Sequence, residues 1–177
     1  MTLISVKPYP AIRSRPLNGA AKSEMMIIMT ASANPFPLPA TLTPALQRVF
    51  AYWQGLKRAG NEMPFWDDVD LSALPDLAGR LLLLDVFAAP ERFRVNVIGQ
   101  DLQPRQTDAL RHRFIDEAAL GGELIFLRAQ SSATVEAAAP TFYRCTGTPA
   151  QPAFSRLLLP MWGDGRIGML LGASDPG

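Results

Sequence analysis

The clearest pattern of apolar and polar positions in the chain begins at Thr43 and has the period of an α-helix. Thr43 is a typical N-cap residue, and Pro44 suits the first helical position, where its missing N–H has no partner to lose. Gly60 suits the left-handed position that follows a helix. The pattern predicts an amphipathic helix over residues 44–59, whose apolar stripe consists of Leu46, Val49, Phe50, Trp53 and Leu56.

Five later segments have the apolar runs or the two-residue alternation of β-strands. In the second of them Phe93, Val95 and Val97 alternate with polar residues, so they are predicted to share one face of a sheet. A helical region, residues 100–138, separates the first two segments from the last three. This order predicts an α+β fold, a five-stranded antiparallel sheet with helices on one face. The predicted strands are 80–87, 92–98, 141–146, 153–162 and 166–173.

The leucine runs 81–84 and 157–159 are apolar at consecutive positions, so both faces of the sheet need cover. The apolar stripe of residues 44–59 can supply that cover within its own subunit, or it can contact a partner. We expect a homodimer in which the five residues of the stripe form the interface, with burial inside the subunit as the alternative.

Proline density sets the first part of the chain apart from the rest. Residues 1–42 contain six of the sixteen prolines and no periodic apolar pattern, which is typical of an extended or flexible arm. Met25, Met26 and Met29 are alternative start positions within it. The predicted organisation is therefore a flexible arm over residues 1–42 and a single domain over residues 43–177.

Charge and cysteine content restrict the class of protein. Residues 1–44 carry a net charge of +3 and residues 45–177 a net charge of −2, so the predicted domain has no basic stripe for nucleic acid. The early apolar run, residues 25–29, is far shorter than the roughly 20 residues that cross a bilayer. Cys145 is the only cysteine, which excludes an intrachain disulfide and favours a reducing compartment. We expect a soluble cytoplasmic protein without a nucleic-acid or membrane partner.

An acidic cluster stands just before a predicted short helix. Asp67, Asp68 and Asp70 are turn-forming and capping residues, and carboxylates are stabilised near a helix N-terminus. The glycine-containing spacing of a calcium loop is absent. The cluster is interpreted as a structural turn, and no metal ligands are assigned.

Motifs of catalysis are absent from the sequence: there is no nucleophile elbow, phosphate-binding glycine loop, dinucleotide fingerprint or zinc spacing. The single histidine, His112, lies between two arginines and is expected on an exposed helical segment rather than as a haem or metal ligand. Cys145 shares a strand face with Tyr143 and lacks the motif of a flavin-adduct cysteine. No catalytic residues are assigned, and the cofactor, if there is one, is unknown.

Three segments, in order, resemble a family of short bacterial proteins that consist of a single PAS domain. They are "YWQGL" with "MPFWDDVDLSALPDLAGRLLLLDV", then "RFRVNVIG", and finally "FSRLLLPMWGDGRIGMLLGA". The resemblance covers residues 44–173 and implies a PAS-like fold whose role is sensing or protein interaction. The chain departs from the family pattern at His112–Phe114, Ser155 and Trp66.

The function that this resemblance implies is a cytoplasmic sensory or adaptor module that binds a small ligand, a signalling partner protein, or both. The alternatives are a small α+β enzyme whose catalytic groups meet only in space, and a purely structural partner with a filled core. A ligand pocket in such a module is expected to be lined by Phe93, Val95, Val97, Phe126, Tyr143, Cys145 and Met169.

Overall fold

A five-stranded antiparallel sheet lies at the centre of the structure, a computed structural model that describes residues 34–58, 60–103 and 110–177. The strand order across the sheet is β2-β1-β5-β4-β3. The predicted α+β class and the antiparallel sheet are confirmed. The strands are β1 (Leu81–Ala88), β2 (Glu91–Ile98), β3 (Thr141–Cys145), β4 (Phe154–Gly163) and β5 (Arg166–Pro176).

Helix α1 spans Pro44–Gly55. Its N-terminus has the expected chemistry, because the Thr43 hydroxyl accepts a hydrogen bond from the Leu46 N–H at 3.5 Å and proline occupies the first turn. The helix ends four residues before the predicted end. The reason is visible in the sequence: after Leu56 the next large apolar residue is Met63, so a further turn would have no apolar face to bury.

The other helical elements are short. Helix α2 spans Leu127–Ala137 and is the only α-helix in the described part of the region between β2 and β3. The predicted helical region 100–138 thus holds this α-helix only in its last part, because residues 122–126 form a separate turn. The 3₁₀ turns among the described residues are Trp66–Asp68, Leu71–Ala73, Pro75–Arg80, Gln100–Leu102, Ile115–Glu117 and Gly122–Leu124.

Helices lie on both faces of the sheet: α1 covers one face, as the within-subunit alternative expected, and α2 covers the other. Residues paired across strands share a face, while successive residues of a strand alternate. Leu81 pairs with Ala173, and both line a small cleft with Leu46 of α1. On the opposite face, Thr141 pairs with Leu158 and accepts a hydrogen bond from Gln130 of α2. The consecutive leucines of β1 and β4 therefore fill two apolar layers.

The stripe of α1 covers the sheet of its own subunit. Leu46, Val49 and Trp53 are only 1%, 1% and 2% exposed, and the stripe therefore cannot offer these side chains to a partner. Phe50 and Leu56 are half-buried, and the Phe50 ring stacks on Trp53 with centroids 5.9 Å apart. The assignment of Leu46, Val49 and Trp53 to a dimer interface is corrected to core, whereas the homodimer itself stays a prediction.

The folded body begins before the predicted boundary at residue 43. The carbonyl oxygen of Phe36 accepts a hydrogen bond from the Phe142 N–H at 3.1 Å, and the Phe36 ring packs against Tyr143 at 6.0 Å between centroids. Leu42 packs on the core. Prolines do not prevent this pairing, since a proline-rich segment keeps its carbonyl acceptors. Residues 34–42 therefore belong to the compact unit 34–177, and the rest of the arm predicted for residues 1–42 lies outside the described residues.

Candidate interaction surface

The predicted pocket residues of strand β2 do not share one face. Val95 pairs with Leu84, and Val97 pairs with the adjacent Leu83, because a β-bulge in β2 lies between these two pairs. Since Leu83 and Leu84 point to opposite faces, Val95 and Val97 do so as well. Phe93 stays with Val95 on the α2 face, where both are buried. The prediction that the three share a face is wrong.

The remaining predicted pocket residues lie in two further places. Met169 pairs with Asp85, in the layer of Leu83 and Val97 rather than that of Val95. Phe126, Tyr143 and Cys145 gather instead at edge strand β3, where the Phe126 and Tyr143 rings have centroids 5.8 Å apart. The described residues therefore divide the seven predicted pocket residues among three surfaces, and they do not form one pocket.

A buried arginine next to Tyr143 was missed by the sequence analysis. Arg156 of β4 is 1% exposed, and its Nε donates a hydrogen bond to Oε1 of Gln130 at 2.8 Å. Its Nη1 and Nη2 donate to the carbonyl oxygens of Glu123 and Ile125 at 2.6 and 2.9 Å. Among the described residues no carboxylate lies within 4.0 Å of it. The available signal was a single charge between Ser155 and a run of leucines.

Arg156 remains a cation at neutral pH and acts as a fixed donor set. Burial lowers the pKa of its guanidinium to about 10, because desolvation disfavours the charged form. The three hydrogen bonds connect α2 to the turn at Gly122–Leu124 and to the residues just after it. The arrangement holds Phe126 in a left-handed conformation with φ of 55° and leaves its side chain 63% exposed. Arg156 therefore positions this loop.

Three large aromatic side chains group at the opposite end of β4. They are Trp66, Phe87 and Trp162, which are 44%, 36% and 37% exposed. We call the two grooves that Trp162 lines the tryptophan surface. Trp162 lines a groove of about 290 Å³ together with Phe87. It also lines a second groove, of about 350 Å³, together with Phe65. The two grooves meet at Trp162, whereas Trp66 lines neither of them and packs on the adjacent Gly163. Sequence periodicity gave no sign of these grooves.

The backbone of β4 fixes the position of both tryptophans. The Trp162 N–H donates to the carbonyl oxygen of Pro64 at 2.8 Å, which brings the segment before Trp66 against the end of β4. A second irregularity in pairing, between Met161 and Trp162, changes the register at this point. Gly163 lets the Trp66 indole lie directly on the strand, since a Cβ there would lie 2.1 Å from Trp66 Cδ1. The position of Trp66 thus depends on a glycine.

Charged side chains of both signs lie near the tryptophan surface. Asp67 is exposed beside Trp66, and Asp164 stands in the turn after Gly163 with φ of 54°. The groove between Phe87 and Trp162 contains Arg166, whose Nη1 donates to the carbonyl oxygen of Val86 at 2.5 Å. Glu91 also lines this groove, and its carboxylate accepts a hydrogen bond from the Ser132 hydroxyl at 2.6 Å.

Asp70 of the acidic cluster has the capping role that the sequence predicted. The Asp70 carboxylate accepts the Ser72 N–H at 2.9 Å and so caps the turn Leu71–Ala73, and hydrogen bonds from Ser72 hold the pKa of the Asp70 carboxyl below its ordinary value. Asp68 accepts a hydrogen bond from Arg58 at 2.5 Å instead of joining Asp70. Within the described ranges, no group of three His, Cys, Asp or Glu side chains could hold a metal ion.

His112 is exposed, as expected, but it does not lie on a helix. It has φ of 67°, and its N–H donates to the carbonyl oxygen of Val95 at 2.6 Å. Arg113 completes this pairing, since its carbonyl oxygen accepts the Val95 N–H at 2.9 Å. The segment thus extends the sheet beyond the edge of β2 in place of a helix.

Comparison of the chain with protein-family models, with curated proteins and with solved structures found no significant match. No helix in the described ranges has the length and apolar character needed to span a membrane. The resemblance to PAS proteins therefore rests on the segments quoted above, and the tryptophan surface is the feature from which a function is argued below.

Proposed function

We propose that the chain is a PAS-like sensory or adaptor module that acts by binding another protein through the tryptophan surface. The observation that carries this proposal is that two exposed aromatic side chains, Phe87 and Trp162, line one groove and that Trp162 also lines a second groove. Single exposed apolar residues are ordinary, whereas contiguous ones mark interaction sites. Tryptophan beside a groove is a typical hot spot of a protein interface.

The order of elements supports the PAS-like part of the proposal. Two strands, a helical region and three strands follow one another as the resemblance implies. Protein binding is favoured over small-ligand binding, because the seven residues expected to line a ligand pocket do not converge. A cytoplasmic location is also part of the proposal, and its support is the single cysteine.

Helix α2 connects the hydrogen-bond network of Arg156 with the tryptophan surface. Gln130 of α2 is the hydrogen-bond partner of Arg156, while Val135 of the same helix lines the groove with Trp162. A movement of α2 would therefore change the buried network and the groove together. In this proposal a binding event shifts the populations of two positions of α2, which requires unequal affinity for the two states.

In-cell photo-crosslinking tests this proposal. A photo-reactive amino acid is placed at position 162, or at position 126 as a control, in full-length protein expressed at native level in its own host. Phe126 is the matched control because it is a more exposed aromatic residue at the other end of β4. We expect discrete crosslinked species from position 162 and none of these from position 126. The same pattern from both positions, or none from 162, contradicts the proposal.

A further inference from the structure

We infer that the groove between Phe87 and Trp162 binds a free α-amino acid with an apolar side chain. This groove shares no residue with the ligand pocket that the sequence predicted. The inference goes beyond the proposed protein contact, because it concerns a small zwitterionic ligand. An amino acid in this groove leaves the second groove of Trp162, beside Phe65, to a partner protein.

The cation of the groove is Arg166, the first residue of β5. Its Nη1 donates hydrogen bonds to the carbonyl oxygens of Val86 at 2.5 Å and of Ile167 at 3.2 Å, which hold the guanidinium against the strands. Its Nε and Nη2 have no acceptor among the described residues, and they are accessible rather than buried. These two nitrogens form a fork that can bind a carboxylate through two parallel hydrogen bonds.

The anion of the groove is the carboxylate of Glu91, which is held on the helix side. Its Oε1 accepts a hydrogen bond from the Ser132 hydroxyl of α2 at 2.6 Å. Ser132 lies about one helical turn before Val135, which lines the same groove. The other carboxylate oxygen has no donor among the described residues and is a suitable acceptor for an ammonium group.

The two charges line one groove without pairing. Among the described residues, no carboxylate oxygen lies within 4.0 Å of a nitrogen of Arg166, and no Lys or Arg nitrogen lies within 4.0 Å of the Glu91 carboxylate. Each charge is held by its own partner, one on the strands and one on α2, although opposite charges attract each other. A ligand that carries a carboxylate and an ammonium on one carbon atom can bind both. A ligand with a single charge can bind only one of them.

The rest of the groove is apolar. Its volume of about 290 Å³ lies just below the roughly 300–1,000 Å³ of clefts that hold drug-sized ligands, so it suits a smaller molecule. The aliphatic and aromatic walls can bury an apolar side chain, which favours a larger amino acid over glycine. These walls consist of Val86, Phe87, Ala88, Val135, Trp162 and Ile167.

Isothermal titration calorimetry of the full chain with L-phenylalanine tests the inference, at concentrations up to about 10 mM so that a Kd in the millimolar range is measurable. We expect saturable binding of one molecule per chain. Two analogues with a single charge are the ligand controls: 3-phenylpropionate lacks the ammonium, and phenethylamine lacks the carboxylate. Each analogue is expected to bind about tenfold more weakly or worse, because hydrogen bonds to charged groups contribute that much.

Substitutions test the role of each charge. Glu91→Gln is expected to reduce the affinity for L-phenylalanine to that for 3-phenylpropionate, because only the ammonium distinguishes the two molecules. Arg166→Gln is expected to weaken L-phenylalanine by about tenfold or more, since the carboxylate loses a charged donor. Glu136→Gln is the matched control, because this exposed glutamate of α2 does not line the groove, and it is expected to leave both affinities unchanged.

Circular dichroism of each variant checks that the fold is retained. If Arg166→Gln fails to fold, the exposed Glu91 carries the test through the ratio of the two affinities. Three outcomes would overturn the inference: no saturable heat with L-phenylalanine, equal affinity for L-phenylalanine and the singly charged analogues, or a ratio that Glu91→Gln leaves unchanged. Crosslinking from position 162 tests the proposed function separately, because it needs no added amino acid.

Discussion

The indole Nε1 of Trp53 donates a hydrogen bond to the carbonyl oxygen of Pro160 at 2.9 Å, and both residues are buried in one subunit. Strand β3 pairs with β4 no further than Leu158, so no neighbouring strand competes for this carbonyl. Because β4 has no strand partner at Pro160 on its β3 side, the missing N–H of the proline costs no strand hydrogen bond there. The buried carbonyl of Pro160 and the buried indole N–H of Trp53 are thus hydrogen-bond partners. This bond fixes α1 to the sheet of its own subunit.

Replacing this tryptophan is expected to reduce stability without changing the oligomeric state. Trp53→Ala removes a large buried side chain, which typically lowers the free energy of unfolding by about 3–5 kcal/mol. Trp53→Phe keeps most of the apolar volume but leaves the Pro160 carbonyl without a donor, at a cost of about 1–3 kcal/mol. Urea unfolding at two protein concentrations measures both. A soluble Trp53→Ala monomer of unchanged stability would show that α1 covers a partner instead.

The network around Arg156 is expected to stabilise the loop that carries Phe126. Arg156→Met leaves two carbonyl oxygens and the Gln130 amide oxygen without donors, and we expect a net loss of about 2 kcal/mol. Arg156→Lys is not expected to restore stability, because an ammonium cannot reproduce the planar fork of donors. Hydrogen exchange of residues 121–126 should rise in both variants.

The exposed Arg144 on neighbouring β3 provides the control. Arg144→Met removes the same charge from the surface and is expected to leave both stability and hydrogen exchange close to wild type. If Arg156→Met unfolds at the same urea concentration as Arg144→Met, the buried network does not contribute to stability.

The start of the folded body can be located by truncation. A chain that begins at Asn34 keeps the Phe36 contacts, whereas one that begins at Pro39 loses the hydrogen bond to Phe142 and the ring contact with Tyr143. An aromatic pair is worth about 0.5–1.5 kcal/mol beyond its buried area. We therefore expect the chain from Pro39 to melt at a lower temperature than the chain from Asn34.

Phe36→Ala in the full chain separates the contact from the effect of chain length. It should reproduce most of the decrease, since it removes the ring but not the backbone hydrogen bond. Equal melting temperatures for the two truncated chains would return the boundary to residue 43.

The capping role of Asp70 predicts a specific dependence on pH. The folded-state pKa of this carboxyl lies below its unfolded value, so its contribution to stability is full above about pH 4 and is lost as the pH falls through the lower folded value. Asp70→Asn retains a capping oxygen and is expected to melt like wild type at pH 7, with a shallower decrease in acid. Asp70→Ala is expected to have a lower melting temperature than wild type over the whole pH range in which the Asp70 carboxylate is charged.

Thermal melts between pH 7 and pH 2 measure these differences. Part of the acid sensitivity should remain in Asp70→Asn, because Arg48 and Arg92 hold the pKa values of Asp76 and Asp116 below their ordinary range. Identical acid profiles for wild type and Asp70→Asn would show that the cap does not depend on the charge.

The sequence by itself determined the local elements. The five strands, the start of α1 at Pro44 and the Asp70 cap all depend on residues close together in the chain, whose periodicity and side-chain chemistry act directly on their own backbone. The existence of two apolar sheet faces also followed from the consecutive leucines, since successive residues of a strand point to opposite sides.

Tertiary structure alone decided which surfaces meet. The alternation of residues along β2 does not predict the sheet face of Val97, because a β-bulge precedes it. The bulge arises from the pairing of β2 with β1 and cannot be read from β2 alone. The fold brings Trp66 next to the end of β4, almost a hundred residues away in the chain, where it packs on Gly163 in the space that a Cβ would occupy. The run of leucines after Arg156 hints at its burial, but its acceptors come from α2 and from the turn before that helix. Periodicity reports the direction of a side chain relative to its own backbone, and the surface that lies opposite is set by the rest of the fold.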